Sequence, residues 1–231
     1  MRIYQSCIAA ADELGRELKE MGIRYQSDTV QDQQVGDNPD YETLELMGYS
    51  YCIQRYEDME LLLHERNCNI DWVKHECEER LDLSLPFKNP GVAWMENPEF
   101  WKPFLRDGYF SYSYPERWHA QIPYIINELS TRPNTRQAIL SMYESTKDIM
   151  NWGGRDRVPC SLSYQFIIRE GKLNVIYSQR SCDYTLFWAS DVYLTIRLMK
   201  FIADKVDVKP GAFYHNIGSL HCFKYQVKDT F

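Results

Sequence analysis

Apolar side chains at Ile3, Cys7, Ile8, Ala11, Leu14, Leu18 and Met21 recur at helical spacing, so residues 3 to 21 are predicted to form an amphipathic helix ended by Gly22. The next stretch, 25 to 42, is polar and carries Gly and Pro, the composition of a loop. At 43 to 53 the run TLELMGYSYCI reads as a strand, with Gly48 marking a bulge or a close backbone approach. Helical periods return over 57 to 65 and 70 to 81. Residues 83 to 113 are irregular and aromatic, with Trp94, Trp101 and Pro103. A further helix is predicted over 118 to 130, with Ile122, Ile125, Ile126 and Leu129 on one face.

The C-terminal half alternates as strands do. QAILSMY is one candidate, LSYQFIIREGKLNVIYSQRS is a hairpin turning at Glu170-Gly171-Lys172, and AFYHNIGSLHCFKYQV is a last strand. Between the hairpin and the last strand a long helix runs from Ser190 to Val206 and stops at DVKPG. No repeat or linker divides these pieces. Residues 1 to 231 are therefore expected to be a single α+β domain, a large mixed or mostly antiparallel sheet with helices packed against it.

Composition narrows the function classes. With 44% hydrophobic residues and no run of about eighteen apolar positions, the chain is expected to be soluble and without a membrane partner. The first residues mix acids and bases where a signal core needs an apolar run, so export is not expected. Seven scattered cysteines with no C-x-x-C pair argue against a disulfide framework or a zinc ribbon and fit a reducing, cytoplasmic setting. A net charge of -7 and a pI near 5.3 disfavour a general affinity for duplex nucleic acid, which needs many phosphate-neutralising cations. One mononucleotide phosphate needs only a local arginine cluster.

Four residues carry candidate chemistry, each with a plainer reading beside it. Cys160 follows a proline in RVPCSLSYQF, with Arg155 and Arg157 just upstream; cationic neighbours favour a thiolate nucleophile, whereas most cysteines are buried and inert. Arg180 is returned by the hairpin toward Cys160, or forms a surface ion pair. Glu76, mid-helix beside His75, is a general acid or base if buried and a solvated charge on the helix face otherwise. His221 in GSLHCF is suited to donate to a sugar hydroxyl, or to sit satisfied inside the structure.

Taken in order, PCSLSYQF, GKLNVIYSQRSCD, a helix and then PGAFYHNIGSLHCF resemble the thymidylate synthase family, including its hydroxymethylase branch, over residues 114 to 224. The resemblance implies a thymidylate synthase-like fold. It implies that Cys160 adds to C6 of a pyrimidine deoxynucleoside monophosphate and that 5,10-methylenetetrahydrofolate supplies the one-carbon unit. Arg180 and Ser181 would hold phosphate, Asp183 would support the base, and His221 the sugar. KHE places a catalytic glutamate at Glu76, and YPERW places a site tyrosine at Tyr114 and a tryptophan at Trp118. Trp94 and Trp101 are then the expected cofactor wall. Arg136 matches the arginine that reaches the phosphate from a neighbouring subunit, which implies a homodimer with shared active sites, and Arg24 is the candidate for the N-terminal phosphate arginine.

Where thymidylate synthases place an asparagine against the pyrimidine edge, this chain has Asp191. Uracil presents a carbonyl at C4 and an N–H at N3, which an amide satisfies with its donor and acceptor; an ionised carboxylate has no donor for the carbonyl. Cytosine presents an amino group at C4, to which a carboxylate accepts well. Asp191 therefore points to dCMP, and the family's dCMP hydroxymethylases are similar in carrying aspartate there; the alternative is an N-cap or early-helix aspartate. The chain departs from the family at Ser161, which follows the nucleophile where histidine is common, and at Gln137, Phe223 and LFWAS. The family's long C-terminal tail is expected to be absent or replaced. The reading favoured is folate-dependent C5 hydroxymethylation of dCMP; methylation of dCMP or dUMP is the nearest enzymatic alternative, and a weakly catalytic nucleotide-binding relative is the other.

Overall fold

Ser6 sets the start of the first helix. In the computed structural model, which describes residues 1–30, 33–84, 86–153 and 156–227, the Ser6 hydroxyl accepts from the Ala9 amide at 3.1 Å, and α1 runs Cys7–Met21. Ile3 continues the apolar period but belongs to a strand, β1 (Arg2–Tyr4), aligned in parallel with Cys52. The polar stretch that follows is only partly a loop. Strand β2 (Ile23–Gln26) pairs antiparallel with residues 42 to 45, and β3 (Thr29–Val30) and β4 (Gln33–Gln34) pair with each other. β2 is exposed throughout, so it lacks the alternation by which a half-buried strand is read.

The next elements fall where the pattern puts them: β5 (Glu42–Ile53), α2 (Met59–Glu65) and α3 (Ile70–Leu81), the last capped by Asn69, whose side chain accepts from the Trp72 amide. Gly48 in β5 has φ +62°, open to glycine at no steric cost. The aromatic stretch holds short 3-10 turns and one short helix, α4 (Pro98–Trp101). The helix predicted over 118 to 130 is two, α5 (Tyr114–His119), capped by Ser113, and α6 (Ile122–Thr131). Pro123 explains the break, since its ring and missing N–H are tolerated in a first turn but not in a continuous interior.

Then come β6 (Ile139–Ser141), α7 (Ser145–Asp148), β7 (Ser161–Arg169), β8 (Lys172–Asp183), α8 (Trp188–Lys205), β9 (Lys209–Phe223) and α9 (Lys224–Val227). Arg169 pairs with Lys172, so the hairpin turns on two residues, Glu170 and Gly171, at φ 52° and 68°. Lys172 is the first residue of the returning strand, one residue short of the predicted turn.

Among the described residues a seven-stranded sheet runs β1-β5-β9-β8-β7-β6, with β2 also on β5. It is mixed: β1 with β5 and β8 with β9 are parallel, the other pairings antiparallel. The parallel register aligns Ser181 with Ser219 and Asp183 with His221, which gathers two separated motifs at one end of the sheet. Gly218 lets the strands close there, because a Cβ would lie 2.7 Å from the Arg180 carbonyl oxygen. α8 packs on β8 and β9 and against α2 and α3, burying Trp188, Val192, Ile196 and Met199 completely. Among the described residues no helix is long and apolar enough to cross a membrane.

Candidate functional site

The ends of β8 and β9, the first turn of α8 and the loop entering β7 surround a cavity of about 1010 Å³. Cys160 lines it from that loop. The antiparallel hairpin returns Arg180 directly to the thiol: its amide donates to the Cys160 carbonyl (2.9 Å), its Nε to the Pro159 carbonyl (2.9 Å) and its Nη2 to the Val158 carbonyl (2.9 Å). So braced, Nη2 lies 3.8 Å from Cys160 Sγ. Cys182 also borders the cavity, but burial pushes its thiol well up. Cys7, Cys52, Cys77 and Cys222 are buried, as most cysteines are.

Ser161, which replaces the family's common histidine, is a fully buried hub. Its hydroxyl is 2.6 Å from Tyr177 Oη and 3.1 Å from Tyr114 Oη, so it ties the strand after the nucleophile to the cavity-lining tyrosine of α5. Ser181 and His221 border the same space. Asp183 does too, yet its carboxylate is engaged within the chain: Oδ1 accepts from the Thr185 and Leu186 amides and Oδ2 from Gln226.

Asp191 is no cap. Phe187 holds the N-cap position, and the Asp191 amide already donates to the Phe187 carbonyl (2.9 Å). Its side chain turns to the sheet instead, where Oδ2 accepts from Gln179 Nε2 at 2.7 Å. Burial pushes this carboxyl up to about 6, opposed by the Gln179 bond and the Arg80 charge and reinforced by Asp183. The sign for stability follows. The folded state holds the proton more tightly than the unfolded chain, whose ordinary value is 3.8, so stability falls as pH rises from about 4 to about 6. Above that window ionised Asp191 costs up to about 3 kcal/mol. Asp191→Asn is therefore expected to melt higher than the parent at pH 8 and no higher at pH 3.5, as thermal unfolding at the two pH values will show; a gain that is the same at both contradicts this account.

The far wall is aromatic. The Trp94 and Trp101 rings lie 4.1 Å apart, with Trp72 and Phe110 at 5.7 and 5.5 Å from Trp94. Arg157 does not approach the thiol as an ion-pairing cation. Its guanidinium is buried among rings, 4.8 Å from Phe110, 5.1 Å from Tyr112 and 5.2 Å from Trp94. Arg155 lies outside the described residues. Trp72 Nε1 and Arg157 Nε are buried without a hydrogen-bond partner among the described residues. Flat rings of this kind suit stacking of a planar heterocycle, the chemistry of a pterin.

Glu76 is buried, which removes the reading as a solvated charge and meets the condition set for an acid or base. It is neither solvated nor in the cavity but 0% exposed beneath its wall, accepting from Arg80 Nε (2.7 Å) and Trp94 Nε1 (2.7 Å). Burial pushes the Glu76 carboxyl up, while Arg80 and Trp94 pull it down. Burial also works against the Arg80 cation, but facing Glu76 outweighs it and keeps the guanidinium charged. Arg80, which lines the cavity and lies 4.1 Å over the Tyr114 ring, was not singled out in the sequence. Its signal was present as the helical i,i+4 spacing to Glu76. Arg80→Met leaves a carboxylate buried without its cation and is expected to cost about 3–5 kcal/mol. Most of that loss should be recovered in the Glu76→Gln/Arg80→Met double variant, measured by denaturant melts; equal losses in both contradict the pairing.

Besides Glu76, three sequence-selected residues are not brought to the cavity. Trp118 is 1% exposed under Arg80. Arg24 is exposed on edge strand β2, 3.9 Å from Glu42. Arg136 is exposed between α6 and β6, bordering a separate depression with Glu128 and Arg132.

A large mixed sheet whose strand ends carry an arginine-braced cysteine, facing a helix-borne carboxylate and an aromatic wall, defines the class. The thymidylate synthase family model matches residues 36–230, and the chain belongs to that family. It is 36% identical over 115 residues to a Methanocaldococcus jannaschii protein described as "Putative thymidylate synthase", covering 49% of this chain and 52% of that one. It is 33% identical over 108 residues to a Methanosarcina barkeri protein of the same description, covering 44% and 48%. The chain thus spans about half the length of the curated relatives it matches. The fold is similar to that in the crystal structure of thymidylate synthase from T4 phage, with TM-score 0.67 and 21% identity over 95% of this chain and 77% of that one.

Proposed function

We propose that this protein transfers a one-carbon unit to C5 of a pyrimidine deoxynucleoside monophosphate, and that its base is cytosine: the product is 5-hydroxymethyl-dCMP. Asp191 carries the choice of base. Its side chain lines the cavity with Oδ2 already committed to Gln179, which leaves a carboxylate acceptor for an amino group at C4. Support for hydroxymethylation over methylation comes from the resemblance, in which aspartate at this position goes with hydroxymethylases of dCMP.

Cys160 Sγ, which has Arg180 Nη2 3.8 Å away, adds to C6 of the ring. The electron pair displaced from the C5–C6 bond makes C5 the nucleophile. Trp94 and Trp101 would hold methylenetetrahydrofolate by stacking, and it would supply the one-carbon unit when bound. The C5 proton leaves, the bond from the new carbon to the folate nitrogen breaks and releases tetrahydrofolate, water adds at that carbon, and Cys160 departs to restore the ring. Ser181, Arg180 and His221 hold phosphate and sugar, and Tyr114 is set beside them by Ser161. Glu76 acts through the groups it positions, Arg80 and Trp94. Arg136 is exposed and does not line the cavity that holds its own Cys160, and it completes the phosphate site of a second copy in a homodimer.

The test is to incubate the protein with C5-tritiated dCMP or dUMP and methylenetetrahydrofolate, follow tritium release and weigh the product. Hydroxymethyl-dCMP supports the proposal. A methylated product reassigns the last step, and no release with either nucleotide leaves a binding protein.

A further inference from the structure

Asp191 is the end of a buried circuit. Trp188 Nε1 is 2.8 Å from Tyr51 Oη, Tyr51 Oη is 2.7 Å from His215 Nδ1, His215 Nε2 is 2.8 Å from Gln179 Oε1, and Gln179 Nε2 is 2.7 Å from Asp191 Oδ2. The path leaves α8 at Trp188, crosses β5, β9 and β8, and returns to α8 at Asp191. Trp188, Tyr51, His215 and Gln179 are all buried, and the His215 ring is stacked 4.7 Å from Tyr177, which fixes its plane.

The two ends allow one direction of hydrogen bonding. An indole N–H only donates, so the Tyr51 oxygen accepts from Trp188 and its proton goes to His215 Nδ1. Burial pushes His215 down to about 3, so the ring is neutral and carries its one proton on Nε2, toward Gln179 Oε1. The Gln179 amino group must then face Asp191. The reverse tautomer leaves the Tyr51 hydroxyl hydrogen without an acceptor and sets the Gln179 carbonyl against the ionised carboxylate, a buried mismatch at each end.

We propose that this relay fixes where Asp191 takes up a proton, so that the residue offers the pyrimidine a bare acceptor oxygen when ionised and a hydroxyl donor when protonated, and base choice becomes pH-dependent. Oδ2 meets only a donor, and a proton there would oppose the Gln179 N–H. Any proton therefore resides on Oδ1, which has no partner among the described residues and is left for the C4 substituent. The ionised form accepts from a 4-amino group; the protonated form donates to a 4-carbonyl. The inference rests on the pyrimidine reading above and adds Gln179, His215 and Tyr51 as positioning residues.

The surrounding groups keep the switch near neutrality. Arg80 from α3 favours the anion, and Asp183 from β8 disfavours it, against a background of burial that places the carboxyl at about 6. Tyr114 of α5, Tyr164 of β7, and Tyr177 and Cys182 of β8 also face it, but burial pushes each of them up and they stay neutral. The nucleotide phosphate titrates in the same range, but equally for dCMP and dUMP, so it cancels in their ratio.

The experiment is calorimetric binding of dCMP and dUMP to the full chain between pH 5 and 8, without folate, together with 15N spectra of the histidine rings. The preference for dCMP over dUMP should grow about 10–100-fold from pH 5 to pH 8. His215 should show a protonated Nε2 and a bare Nδ1. In Gln179→Met, which removes the donor that favours the anion, the inflection should move to higher pH. A flat ratio with both nucleotides bound, or a proton on Nδ1, overturns the relay while leaving the pyrimidine reading standing; failure of both nucleotides to bind at every pH overturns both.

Discussion

Cys160→Ala is expected to abolish loss of the C5 hydrogen, lowering tritium release from labelled dCMP by at least about 10⁴-fold. The proposed chemistry makes C5 reactive only through addition at C6, and a methyl group cannot add. The protein should still fold and bind nucleotide, because Cys160 is only half-buried and the three bonds that brace Arg180 run to backbone carbonyls and not to the thiol. A Cys160→Ala protein that melts like the parent, binds dCMP and still releases tritium removes the covalent step. Cys182, the other cysteine at the cavity, does not substitute, since its buried thiol is held protonated.

The second large effect is on selection. Asp191→Asn should move the ratio of kcat/KM for dCMP over dUMP down by about 10–100-fold in each term, because an amide supplies the donor that a 4-carbonyl needs and loses the charge that a 4-amino group favours. Gln179 fixes the geometry in both proteins: its amino group donates to whichever side-chain oxygen faces it. Steady-state kinetics with each nucleotide give the ratio. Unchanged selectivity would mean that Asp191 does not read the base.

The fold was legible wherever one face of an element is buried. α1, α3, β5, β8 and β9 carry periods of 3.6 or 2 that the core enforces, and their bounds differ from the pattern by a residue or a few. β2 was illegible because an exposed edge strand imposes no alternation, and the α5–α6 break depended on reading Pro123 as a first-turn residue. For the site, motif order located Cys160, Arg180 and Asp191, which the hairpin and the first turn of α8 do bring to one cavity. Glu76 was found by motif but its environment was not, because burial of a charge on a polar helix depends on what covers it, here Trp94 from a distant turn. The relay had no sequence signal. Tyr51, Gln179 and His215 are ordinary inward positions of three strands, and only the register of β5, β9 and β8 makes them neighbours.

The most direct test places dCMP and dUMP in one vessel at equal concentration with methylenetetrahydrofolate at pH 7.5 and counts products by mass. A cytosine reader working through Cys160 yields 5-hydroxymethyl-dCMP in excess over any uridylate product. Thymidylate as the main product, with dCMP returned unaltered, contradicts it.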